Sequence, residues 1–447
     1  MAVENITTQS GANNNQPLTS LNIFKGRGVQ MRTFHITWLT FFVCFMAWFA
    51  IAPFNKMVYE QLGLSKAQQG NILIASVSAT IIARLIIGRL CDKFGPRLTY
   101  TWLLVVCSIP VMLIGLSESY TTLLLMRLAI GVIGASFVLT QYHTSVMFAP
   151  QVKGTANATA GGFGNTGGGA AQILMPLIAV GIVAMGWSSQ EDSWRYAMVV
   201  PGVLLLVMAF VYYRYTKDTP AGNFSELPEQ KAAKKENTFL LAAKDPRTWL
   251  LTLAYAACFG VEITVDNVAV KFFQDNFGAT LLLAGALASI FGWINLFARA
   301  MGGILSDRVG RQYGFKGKGW LLTLLLLLEG VGIVLFAASG HLVMAIALMF
   351  AFGLCLKMAN GATYSIVPFV NPRAVGSVAG IVGAGGNVGA MAIGFLFKAL
   401  PHQQAFSYLG FGVLGVGLAV GAFCLLAKEE EEEQAVLQPA YATVPVE

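Results

Sequence analysis

The stretch ARLIIGRLCDKFG (83–95) recurs as ARAMGGILSDRVG (298–310), and each copy sets an arginine inside an apolar run that ends in a charged turn. The register pairs Arg84 with Arg299, Gly88 with Gly303, Asp92 with Asp307 and Gly95 with Gly310. A second block, PQVKGTANATAGGFGNTGG (150–168), recurs as PRAVGSVAGIVGAGGNVGA (372–390), pairing Pro150 with Pro372 and Asn165 with Asn387. The same offset carries Gly131 to Gly353 and Tyr142 to Tyr364. Two blocks repeating in the same order describe a chain built from two equivalent halves.

Composition decides what surrounds those arginines. Of 447 residues, 56% are hydrophobic and 11% charged, with a mean hydropathy of +0.65. Soluble domains are about a quarter charged. Apolar stretches recur over 33–58, 68–90, 98–117, 121–148, 156–186, 196–215, 247–274, 280–305, 319–339, 342–370, 375–399 and 404–427. A helix rising ~1.5 Å per residue crosses a ~30 Å hydrocarbon core in about 20 residues, so twelve transmembrane helices are expected, six in each half. The expected layout is a cytoplasmic tail over 1–32, a six-helix bundle over 33–216, a charged linker over 217–245, a second bundle over 246–427 and an acidic tail over 428–447.

Of the 29 Lys and Arg, 20 fall on the side of the termini, 6 on the other side and 3 inside, namely Arg84, Arg299 and Lys357. Basic residues in short loops resist translocation, so both termini are expected in the cytoplasm of a multi-pass inner (plasma) membrane protein. That asymmetry accounts for the net charge of +7 without a nucleic-acid partner. The segment MAVENITTQSGANNNQPLTS has no basic region ahead of a short apolar core and is not read as a signal peptide. The six cysteines stand singly, without metal-ligand spacing, and neither a disulfide framework nor a metal site is expected. No nucleophile and base pair, metal motif or nucleotide loop suggests an enzyme or a cofactor.

Arg84 lies eight residues before Asp92, about 12 Å of helix, which puts it near mid-membrane, and Arg299 repeats that depth. A lone charge there costs on the order of 3 kcal/mol or more and normally marks an ion or its path. With the halves related by an axis along the membrane normal, the two guanidiniums face one another across a cavity. The alternative, that each pairs with an acid and binds helices together, finds no carboxylate within a turn of either arginine; Thr80 and Asn295, one turn earlier, are neutral. The planar guanidinium suits carboxylate, nitrate, nitrite or phosphate. Asn165 and Asn387 lie mid-span, where an unpaired amide costs a few kcal/mol, and a small oxyanion held by the arginines is a suitable partner. Gly164 and Gly168, and Gly385 and Gly389, have the spacing of close helix contacts.

The duplicated turns GRLCDKFGPR and GILSDRVGR resemble the gating motif of the major facilitator superfamily, and the resemblance implies a gating role for Gly88, Asp92, Arg97, Gly303, Asp307 and Arg311, of which Asp92, Arg97, Asp307 and Arg311 are expected to cap helix ends and pair across the interface of the halves. The Asn-centred glycine segments, together with GVEITVDNVAVKFF (260–273) and NLFARAMGG (295–303), resemble the nitrate/nitrite porter family of that superfamily over about 34–427. The resemblance implies a nitrate clamp formed by Arg84 and Arg299 and bordered by Asn165 and Asn387 with Gly164, Gly386 and Asn295. It further implies stacking of Tyr255, Phe259 and Phe49 on the flat ion. The pattern departs at Ala390, where a third glycine is often seen.

Tyr255, Phe259, Glu262 and Asp266 share one helical stripe. Import of an anion against a negative-inside potential requires accompanying positive charge, and Glu262 and Asp266 are proton-coupling candidates, against the ordinary reading as solvated helix-end acids near Lys271. Arg127 and His143 are candidates too, each weighed against a packing role, and Lys357 is a further cavity candidate. The expectation is a nitrate transporter, also serving nitrite, with proton-coupled uptake and function as a monomer. Nitrate/nitrite exchange, a nitrate-sensing receptor and an anion channel on the same scaffold are the alternatives.

Overall fold

The structure, a computed structural model, describes residues 16–24, 28–226, 238–371 and 374–426, and within them the side chains of all but 85, 89, 92, 150, 151, 238, 375 and 376. The first half contains α1 (Val29–Gln61, with a short 3-10 turn), α2 (Lys66–Phe94), α3 (Pro96–Leu116), α4 (Tyr120–Met147), α5 (Pro150–Ala184) and α6 (Ser193–Tyr215). The second contains α7 (Pro246–Phe277), a long run over 281–337, α10 (Leu342–Val370), α11 (Val375–Ala399) and α12 (His402–Leu426). Gly314, at φ 65° and ψ −161°, breaks the long run into α8 (281–313) and α9 (315–337). Twelve long helices result among the described residues, α8 extending past the expected limit of 305 because its polar end, SDRVGRQY, stays helical beyond the apolar stretch. The acidic tail, linker residues 227–237, the start of the N-terminal tail, Pro372 and the Asp92 side chain lie outside what is described.

Local chemistry sets the boundaries. Ser65 and Ser119 close capping boxes at the starts of α2 and α4, Thr280 caps α8, and Asp245 accepts from Arg247 N ahead of Pro246. Gly95, at φ 82°, separates α2 from α3 with Pro96 as the first helical residue. Apolar side chains such as Ile82, Trp102, Phe210 and Leu425 are exposed, whereas Arg84, Arg127, Arg299, Lys357, Glu262 and Glu329 are buried. This distribution suits a protein dissolved in lipid, where charge belongs inside the bundle.

The halves meet along α2 against α11 and α5 against α8. A Cβ on Gly292 would run into the backbone of Gly169, and one on Gly285 into the Gln172 carbonyl, so α5 and α8 approach through glycine. Around Ala390 the close approach is kept by other glycines: Gly389 stands against the Ala256 backbone, and a Cβ on Gly260 would lie 2.8 Å from Ala390 N. Contacts across the halves also run from the arginine level toward the ends remote from the termini, where Asn55 Nδ2 donates to Asn267 O at 2.9 Å.

Candidate anion-binding site

α2 and α8 carry Arg84 and Arg299 to the interface of the halves, and each guanidinium reaches across to the glycine-rich helix of the other half. Arg84 Nη1 donates to Gly383 O in α11 at 2.8 Å, and its Nε donates to Gly134 O in α4 at 3.3 Å. Arg299 donates to the amide oxygen of Asn165 in α5, 3.3 Å from Nη1 and 3.2 Å from Nη2. That amide orientation is the one a donor-only guanidinium requires. A Cβ on Gly383 would lie 3.9 Å from Arg84 Nη1, and a Cβ on Gly161, its repeat partner, 3.9 Å from Arg299 Nη1. The two guanidinium carbons lie 6.0 and 5.9 Å from the centroid of one ring, Phe259. Arg84 Nη2 and Arg299 Nε are buried donors with no hydrogen-bond partner among the described residues.

Aromatic rings wall this level. Tyr255 and Phe259 stack with centroids 5.0 Å apart and planes at 5°, and Tyr364 meets Tyr255 edge-on at 4.9 Å. A Cβ on Gly386 would lie 2.6 Å from Phe259 and 2.8 Å from Tyr255, so glycine there makes room for the stack. Phe137 of α4, which sequence reasoning missed, lies 5.3 Å from the Arg84 guanidinium. Phe49 instead packs on Trp48 and Phe45, and its ring is not among those recorded over either guanidinium within the described residues.

Arg299 does have a carboxylate partner, which corrects the expectation. Its Nη2 lies 3.2 Å from Glu262 Oε2, supplied by α7 rather than by its own helix. Glu262 is a hub: Oε1 accepts from Asn295 Nδ2 at 2.7 Å and faces Lys357 Nζ at 2.9 Å, while Oε2 also accepts from Asn360 Nδ2 at 2.7 Å. The helix-end reading of Glu262 and Asp266 is thereby overturned, since both are buried. The acid that serves Lys271 is Asp275. One carboxylate thus offsets two cations, and among the described residues the recorded partners of Arg84 are carbonyls and rings. Asn360, three residues beyond Lys357 on the same face of α10, was the legible signal that went unread.

The description Major Facilitator Superfamily matches residues 37–394 and, in a second match, 267–442. High-affinity nitrate transporter 2.3 of Oryza sativa subsp. japonica is 36% identical, with 90% of this chain and 79% of that protein covered. Nitrate transporter 2.1 of Chlamydomonas reinhardtii is 37% identical over 88% of this chain and 74% of its own length. The chain belongs to the Major Facilitator Superfamily, in its nitrate/nitrite porter family. Nitrate/nitrite transporter NrtP of Picosynechococcus sp. (strain ATCC 27264 / PCC 7002 / PR-6) is 29% identical over 91% of this chain and 94% of its own. Among solved structures, a bacterial homolog of the human lysosomal transporter Spinster, in an inward-facing and unoccupied conformation, superposes with a TM-score of 0.67 at 16% identity, covering 93% of this chain and 99% of that one. That likeness speaks to the fold. The porter is a membrane transporter and not an enzyme.

The other candidate residues of this porter divide between the site and its frame. Asn295 joins the Glu262 hub, whereas Asn387 donates to its own helix at Gly383 O, 3.3 Å away, with no partner for Oδ1 among the described residues. Thr80 turns from Arg84 to donate to Gly131 O at 2.5 Å. Gly164 seats Phe41, since a Cβ there would strike that ring, and so has a packing role. Arg127 ties α4 to the Trp48 carbonyl at 3.1 Å and to Asn267 Oδ1 at 3.0 Å, bridging the halves at the far-side cleft of about 420 Å³. His143 uses both ring nitrogens, on Tyr212 Oη at 2.5 Å and Lys217 O at 2.6 Å, as a structural group.

Among the described side chains of the turns, Arg97 and Asp307 find their partners away from the interface of the halves. Arg97 donates from its backbone to Asp218 Oδ1 at 2.8 Å and from Nη1 to Tyr213 O at 2.9 Å. Asp218 also takes the Phe224 N–H at 3.1 Å, and burial holds its carboxyl above the ordinary value against the pull of both backbone donors. Asp307 pairs with Lys318 at the start of α9 at 2.7 Å, and Arg311 is exposed. A Cβ on Gly88 would meet nothing within 4 Å, and one on Gly303 only the Gly361 carbonyl at 3.8 Å, so neither is required for packing here.

Proposed function

We propose that this porter is a secondary active transporter of nitrate, with nitrite as a second substrate, that clamps the anion between Arg84 and Arg299 and exposes it alternately to the two sides by rocking of the halves. The observation that carries this reading is the placement of two guanidiniums from opposite halves about 6 Å from the same Phe259 ring. Each has an unpaired buried N–H, and a small planar oxyanion supplies acceptors to both at once. Because the clamp joins the halves, binding the anion favours their closure on it. The names of the plant, algal and cyanobacterial relatives support nitrate and nitrite as the substrate class.

Uptake is coupled to protons, with Glu262 as the lever. Its carboxylate holds Arg299 in the structure, so an anion gains that guanidinium only as Glu262 lets go. Proton uptake weakens the hold, and the accompanying positive charge offsets the membrane potential, which opposes an entering anion by about 2.3 kcal/mol per 100 mV. The termini lie on the cytoplasmic side, consistent with the distribution of basic residues.

Purified protein in liposomes loaded with unlabelled nitrate is expected to accumulate labelled nitrate by counterflow, and to do so without preloading when an inward proton gradient is imposed. Absence of counterflow from folded protein refutes nitrate transport. Accumulation that requires internal nitrite and ignores the proton gradient replaces symport with exchange.

A further inference from the structure

Glu329 of α9 is fully buried, and neither of its carboxylate oxygens has a hydrogen-bond partner among the described residues. It lies on a helix away from the anion site, yet α9 packs against α10: a Cβ on Gly332 would lie 2.7 Å from Phe352 Cβ, so Glu329, a turn earlier in α9, comes level with the part of α10 just past Phe352 that carries Lys357. The other titratable groups near it are the thiols of Cys258 in α7 and Cys355 in α10. Lys357, fully buried, is ion-paired with Glu262 at 2.9 Å and lies 4.1 Å from the centroid of Phe291. A bare carboxylate without donors is strongly disfavoured in such surroundings, whereas a protonated acid is accommodated.

We infer that Glu329 is a proton-binding site behind the anion clamp, and that its proton sets how tightly Glu262 holds Arg299. This inference rests on the transport reading above. With Glu329 protonated, Lys357 and Glu262 neutralise one another and Arg299 keeps its charge for the anion. When the Glu329 O–H bond breaks and the proton leaves to water, the new carboxylate draws the Lys357 ammonium away from Glu262. Glu262 then turns its full charge on Arg299 and displaces the anion. One proton on Glu329 therefore accompanies each bound anion. Lys357 is shared: Asp266 is a further buried acid near it, with Oδ2 lacking a hydrogen-bond partner among the described residues, and a new carboxylate at Glu329 draws on the same ammonium.

Glu329→Gln fixes the neutral state. In liposomes the variant is expected to keep nitrate counterflow within about twofold of wild type and to lose accumulation driven by a pH gradient, with the voltage clamped. Gradient-driven accumulation equal to wild type overturns the inference. A second readout needs neither transport nor substrate: infrared spectra of the wild-type protein at neutral pH are expected to contain a carboxylic-acid carbonyl band that is missing from Glu329→Gln and shifted in Glu329→Asp. Identical spectra for wild type and Glu329→Gln overturn the inference even where Glu329→Gln is poorly folded in liposomes. Absence of nitrate counterflow in the wild type, with the band present, refutes the transport reading and leaves the proton site standing.

Discussion

Replacing Glu262 by Gln keeps the shape of the side chain and reverses half of its hydrogen bonding. Two amide donors and two cations converge on the carboxylate: Asn295 and Lys357 at Oε1, and Asn360 and Arg299 at Oε2. Whichever way the Gln amide turns, its NH2 group faces one amide donor and one cation. Breaking a buried pair while leaving the partner charge in place costs about 3–5 kcal/mol. The substrate-free variant is therefore expected to unfold at a clearly lower temperature than wild type.

Nitrate binding is expected to move in the opposite direction. On the proposed mechanism the anion takes Arg299 from Glu262 in the wild-type protein, and a hydrogen bond to a charged group is worth about 1.5–3 kcal/mol. Removing that competition tightens nitrate binding by roughly 10–150-fold. The assay is calorimetric titration of purified protein with nitrate, together with thermal unfolding at a series of nitrate concentrations. A saturating anion is expected to restore a larger part of the lost stability in the variant than it adds to wild type, because it supplies the missing negative charge. A folded variant that binds nitrate no better than wild type refutes the competition between Glu262 and the anion.

Three further substitutions probe separate parts of the site. Arg84→Lys keeps the charge but loses the fork that spans Gly383 O, Gly134 O and the anion, and is expected to weaken nitrate binding about 10–100-fold by calorimetry while the protein remains folded; unchanged affinity removes Arg84 from the clamp. Gly386→Ala puts a methyl 2.6 Å from Phe259 and 2.8 Å from Tyr255 and is expected to raise the nitrate Kd several-fold by tilting the stacked pair away from both guanidiniums, whereas full affinity dissociates the ring from binding. Asp218→Ala leaves the backbone N–H groups of Arg97 and Phe224 without their acceptor and is expected to cost about 1–3 kcal/mol in denaturation while leaving the nitrate Kd as in wild type.

The twelve helices and the two arginines were legible because each leaves a signal along a single segment. An apolar run of fixed length needs no knowledge of its neighbours, and a duplicated arginine needs only its own copy. The Glu262 pairing was not legible for the complementary reason. Arg299 was tested against acids within a turn of its own helix, but in a bundle the nearest carboxylate comes from an adjacent helix, where sequence distance carries no information. Phe259 was assigned by family pattern, whereas Phe137 has no aromatic partner in the repeat and no motif to mark it. The backbone acceptors at Gly134 and Gly383 are invisible in any list of side chains. The two arginines are copied, while Glu262, Lys357 and Asn360 have no counterpart among the repeated blocks and lie in the second half alone. On the proposed clamp, a symmetric pair of arginines would bind an anion equally from either half; the one-sided carboxylate would make Arg299 the member whose availability is regulated, and Arg84 the fixed one. Directional coupling to a second ion would then reside in the residues that break the repeat.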